Sequence, residues 1–80
     1  MSMLEAFLNI EINDATQKRI LEVIKNACAN NVEKEELTFN VYSVIIYPNR
    51  NELVLCNDII DEIPDFLMPL DTFYNFIKKI

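Results

Sequence analysis

The sequence predicts an α+β fold, β-α-β-β-(β)-α, in which two helices pack on a small antiparallel-rich sheet. Three observations carry that expectation. Apolar residues recur at spacings of three and four from Ile20 to Cys28 and again from Leu70 to Ile77. Most of the β-branched and aromatic residues concentrate between Leu37 and Tyr47. The turn sequence Pro48-Asn49-Arg50-Asn51 then separates that run from a second one, Glu52 to Asn57. Helices with one apolar stripe need a sheet to cover, which sets the two-layer class.

Taken in order, Phe7 to Ile12 alternates, with Leu8, Ile10 and Ile12 on one side and Asn9 and Glu11 on the other, and reads as a half-buried strand. Asp14 with Gln17 has the spacing of a capping box and starts a helix. Its stripe is Ile20, Leu21, Val23, Ile24, Ala27 and Cys28. Glycine is absent, so asparagine is the residue best able to take positive φ, and Asn30-Asn31 is placed to end the helix. Val32 to Glu36 reads as a charged loop or short turn. Leu37 to Tyr47 is then a strand whose second half is apolar on both faces, which calls for a central strand or a bulge near Ser43. In the next strand Leu53 and Leu55 share one face, and Val54 and Cys56 the other. Pro64 and Pro69 bracket a loop, with or without a short edge strand at Phe66 to Met68. Pro69 suits the first position of a closing helix, Asp71 its positive end, and Lys78 and Lys79 its negative end.

Eighty residues, 1–80, make one domain, and 51% hydrophobic content is ample for a folded one. The longest central apolar run, Val44 to Tyr47, is far short of the roughly 20 residues a bilayer crossing needs. No secretory leader is legible ahead of the first element, and the two cysteines, Cys28 and Cys56, fit packed side chains in a reducing, cytoplasmic setting.

Charge is the uneven feature. The net charge is -6, and residues 51–77 contain Glu52, Asp58, Asp61, Glu62, Asp65 and Asp71 with no lysine or arginine. The remaining residues balance. The same window carries Ile59, Ile60, Ile63, Phe66, Leu67 and Met68. Carboxylates interleaved with large apolar side chains suit docking on a basic protein surface, where complementary charge steers the encounter. Six carboxylates in one window also fit an ordinary solvated surface. The residues expected to contact a partner are Asp58, Ile60, Asp61, Glu62, Asp65 and Phe66, with Ile60 or Phe66 as the apolar anchor if exposed.

Other chemistries find little support. There is no histidine and no nucleophile with an orienting base, so no enzyme activity is expected. The acidic stretch lacks the alternating ligands, glycine and closing glutamate of a calcium loop, and two cysteines without histidine make no zinc site, so neither metal nor cofactor is expected. A negative domain gains nothing from counterion release, which disfavours direct binding to nucleic acid.

The opening strand and helix, the hairpin around Pro48-Asn49-Arg50-Asn51, the Asp58 to Asp65 stretch and the closing Pro69 to Ile77 helix together resemble the small acidic immunity proteins that bacteria pair with secreted toxins, including those of contact-dependent inhibition. The resemblance implies a cytoplasmic protein that binds one cognate toxin domain and blocks its active site or a nearby surface. Phage-encoded inhibitors of host defence proteins share the same short, acidic style. A self-associating structural or adaptor subunit, a homo-oligomer joined through an exposed strand edge, is the alternative from another class.

Overall fold

The structure, a computed structural model, describes residues 2–60 and 62–80. Three helices and four strands follow in the order α1 (Met3–Glu11), α2 (Asp14–Ala29), β1 (Glu35–Thr38), β2 (Tyr42–Tyr47), β3 (Glu52–Asn57), β4 (Phe66–Pro69) and α3 (Leu70–Lys78). The α+β class and the antiparallel sheet are as expected.

The first element is not. Where alternation predicts a strand at Phe7 to Ile12, the chain forms α1. A few alternating residues fit either period, and the cap decides between them. Ser2 Oγ accepts from the Glu5 N–H at 3.1 Å and donates to the Glu5 carboxylate at 3.3 Å. Leu4, Phe7 and Leu8 then share a helical face, and Phe7 is fully buried while Ile10, expected on an inner face, is exposed. The structure therefore has three helices where two are expected.

Helix α2 is capped by Asn13, whose Oδ1 accepts from the Thr16 N–H at 2.9 Å, and not by Asp14. Gln17 consequently does not close a capping box. Its Nε2 donates to the Ile77 and Ile80 carbonyls at 2.8 and 3.1 Å, tying the start of α2 to the end of α3. Asn31 takes φ 58°, the left-handed geometry that ends α2. Ile20, Ile24 and Ala27 are buried, but Cys28, expected in the stripe, is exposed.

The single strand expected from Leu37 to Tyr47 is two strands. The chain reverses between Phe39 and Val41, where the Phe39 N–H donates to the Tyr42 carbonyl at 2.8 Å, so the change of face assigned to a bulge is a full turn. Glu35 and Glu36, expected in a loop, belong to β1, an edge strand whose charges discourage further pairing. What pins the reversal is Glu11 at the end of α1, only 5% exposed. Its carboxylate accepts from the N–H groups of Val41, Tyr42 and Asn40 at 2.8, 3.2 and 3.3 Å.

The β2–β3 hairpin forms as expected, through a 3-10 turn at Pro48–Arg50 and Asn51 at φ 48°. The edge strand is also present as β4, with Pro69 as its last residue and as the cap before α3. The sheet order is β1-β2-β3-β4, antiparallel throughout.

Register sorts the side chains. One row is Leu37, Val44, Leu55 and Phe66, and the next is Ile46, Leu53 and Met68. These residues meet Phe7, Ile20, Ile24, Leu70, Phe73 and Ile77 of the helices. Phe7 sits at the centre, its ring 5.6, 5.8 and 6.3 Å from those of Phe39, Tyr42 and Phe73. Each large side chain buried there contributes about 1.5 to 3 kcal/mol.

Candidate functional site

The opposite face of the sheet has a different composition. Its central row is Glu36, Ile45, Val54 and Leu67, flanked by Thr38, Ser43 and Cys56 on one side and Tyr47, Glu52 and Pro69 on the other. Ile45, Val54, Tyr47 and Cys56 are half-buried and Leu67 is 58% exposed. The sequence pattern does place Val54 and Cys56 opposite Leu53 and Leu55. What it misses is that the apolar outer residues of β2 lie beneath no helix.

Past β3 the chain turns at once. Asn57 Oδ1 accepts from the N–H groups of Ile59 and Ile60, both at 2.9 Å, an Asx-type turn. This leaves Ile59 66%, Ile60 47% and Ile63 37% exposed. Asp58 folds back, with its N–H donating to the Val41 carbonyl at 2.8 Å and its carboxylate accepting from the Ser43 hydroxyl at 2.5 Å. Ser43 is the one buried uncharged polar side chain on this face, and Asp58 is its partner.

Cys56 marks where the acidic groups converge. Burial pushes its thiol up to about 11 from 9.0, aided by a hydrogen bond to the Asp65 carboxylate and by the negative charges of Asp65, Asp58 and Glu36. A reactive thiolate needs electropositive surroundings, so Cys56 is held as a thiol and no nucleophile. Asp58, bonded to Ser43, and Asp65, which precedes β4 and bonds the Cys56 thiol, stand at one end of the outer face, while Glu36 of β1 shares that face in the central row. The opposite end carries Tyr47, with the Arg50 guanidinium 4.2 Å over its ring. Along the strands the outer face thus runs from Asp58 and Asp65, through a mainly apolar row that also holds Glu36, to Tyr47 with the Arg50 guanidinium and Glu52.

Of the expected contact residues, Asp58 and Asp65 stand at the acidic end, and Glu62 and Ile60 are exposed beside it. Asp61 lies outside the described residues. Phe66 turns to the other side of the sheet, paired with Leu55 and packed half-buried against the core, which leaves the anchor's place to Ile60. Glu52 and Asp71 lie apart from the cluster, Glu52 in the row with Tyr47 and Asp71 bonded to Asn51 near the hairpin.

Among the helices, a cleft of about 300 Å³ opens between α2, α3 and the Pro48 turn, walled by Ile24, Leu70 and Tyr74. Of the polar residues that line it, Lys25, Asn51, Asp71 and Asn75, Asn51 and Asp71 are bonded to one another. Among the described residues no three His, Cys, Asp or Glu side chains approach closely enough to hold a metal ion, and no helix is long and apolar enough to cross a membrane. No protein-family model, curated protein or solved structure matches the chain.

Proposed function

We propose that the protein is a non-catalytic inhibitor, an immunity-type protein, that binds and neutralises a basic toxin or nucleic-acid-acting enzyme. Its acidic surface makes the contact. The observation that supports this reading is the continuity of Ile59, Ile60 and Ile63, all exposed, with the carboxylates of Asp58, Glu62 and Asp65 and the uncovered face of the sheet. Apolar side chains ringed by one sign of charge supply both parts of a protein contact: desolvated area for affinity and a field for rapid encounter. The partners recorded for Asp58 and Asp65, Ser43 and Cys56, are neutral, so their charge is available to a basic surface. The inhibitor acts in the cytoplasm. A phage-encoded inhibitor of a host defence protein would work by the same contact.

The test uses the product of the neighbouring reading frame as partner, mixed with the purified protein in rising salt. Association slows steeply as the screening length falls below about 8 Å. Asp61→Lys with Glu62→Lys removes most of that dependence. Unchanged affinity and salt response in the double variant would sink this placement of the site. The uncovered sheet face also supports a second reading, self-association, which sedimentation over a range of concentrations distinguishes: a monomer throughout favours a foreign partner, and a tight symmetric dimer favours a second copy.

A further inference from the structure

Resting on the inhibitor reading, we infer that the element of the partner seated on the outer face of the sheet is a basic amphipathic α-helix. It packs its apolar stripe on Ile45, Val54 and Leu67 and directs lysine or arginine to Glu36, Asp58 and Asp65.

Geometry argues for a helix. Ile45, Val54 and Leu67 stand opposite one another on three adjacent strands, so the row spans two strand spacings, about 10 Å. That is about the width of one helix with its side chains. The inner face is already covered by helices, and one more on the outer face completes a three-layer arrangement.

The competing occupants fit less well. An added strand needs a free edge with donors and acceptors, and β4 is the edge nearest the acidic turn. The Leu70 N–H donates to the Asn51 carbonyl at 3.0 Å, and alternation from that bond turns the backbone groups of Met68 and Phe66 toward β3. Leu67 and Pro69 point outward, and Pro69 has no N–H, so β4 offers an incoming strand a single donor. A second copy set face to face opposes Glu36, Glu52, Asp58 and Asp65 to the same four groups, and Arg50 beside Tyr47 offsets a part of that charge. A basic helix meets the same groups with complementary sign.

The probe is a synthetic 18-residue leucine–lysine peptide with one apolar stripe, titrated into the protein carrying labelled Ile, Leu and Val methyl groups. The expected result is that the methyl resonances of Ile45, Val54 and Leu67 shift and broaden, the peptide becomes helical, and Leu67→Thr weakens binding about tenfold. Leu67 is exposed, so this variant keeps the core. Val54→Thr, nearly the same shape, is the second variant and weakens binding in the same direction. Three results overturn the inference: equal affinity for a scrambled peptide of the same charge, shifts confined to the β4 backbone amides, or shifts confined to Ile59, Ile60 and Ile63. The last of these would leave the inhibitor reading standing with its contact on the turn alone. Loss of the salt response in the Asp61 and Glu62 variant concerns the inhibitor reading and is scored separately.

Discussion

The two faces of the sheet come from the same strands, yet one is closed and the other open. Leu53 and Val54 are neighbours in sequence with similar apolar side chains. Leu53 is fully buried under the helices, and Val54 is half-buried on the face they leave uncovered. The difference teaches that hydrophobicity sets what can be buried, while the placement of the helices sets what is. The inner face, packed against the helices, holds the fold together, and the outer face is left uncovered by them.

Substitutions that treat the faces alike would break this comparison. The largest expected effect is Leu53→Ala, which removes fully buried methyl groups and costs about 2 to 5 kcal/mol, read from urea unfolding. Val54→Ala is expected to cost under about 1.5 kcal/mol, since less area leaves the interior. Equal losses at the two positions would mean that the outer face is as well covered as the inner.

Glu11→Ala comes next. It strips the carboxylate that holds three backbone N–H groups of the β1–β2 turn and is expected to cost about 1.5 to 3 kcal/mol. Exchange of the Val41 and Tyr42 amides should rise more than that of Leu53. If those amides stay as protected as before, Glu11 does not pin the hairpin.

The smallest effect concerns chemistry at the acidic end. Because its folded value lies above 9.0, Cys56 retains its proton in the folded chain over a range where the unfolded chain has lost it. The folded state then binds more protons between about 9 and 11, so this group's contribution to stability is present below 9 and is lost as pH rises through that window. Alkylation at pH 9 should be slow at Cys56 and fast at the exposed Cys28. Asp65→Asn speeds the Cys56 reaction severalfold by removing a charge and a favourable acceptor. A rate insensitive to Asp65 would separate that carboxylate from the cluster.

Much of this was legible in the sequence where a local signal was strong. Helix α2 follows from its three- and four-residue stripe and the β2–β3 hairpin from Pro48 to Asn51, whereas the apolar residues between the two prolines fit a loop as well as β4. The opening helix was missed because alternation at Leu8, Ile10 and Ile12 fits a strand, and only the Ser2 cap and the packing of Phe7 show which period holds. The turn at Asn40 was obscured because its stabilising group, Glu11, lies far back along the chain. At the candidate site, the segregated charge and the isoleucines were visible, whereas the inward turn of Phe66 depended on its pairing with Leu55.

By itself, then, the sequence determined the α+β class, the hairpin with its asparagine turn and the concentration of negative charge, and left the β4 edge strand open. Each of these rests on residues close together in the chain. Only the tertiary structure decided that Ile45, Val54 and Leu67 form one row on the face the helices leave uncovered, and that Asp58 and Asp65 stand beside Ser43 and Cys56 at the end of that face. Those neighbours come from strands joined by register and from helices that cover one side, and pairwise spacing along a chain contains neither.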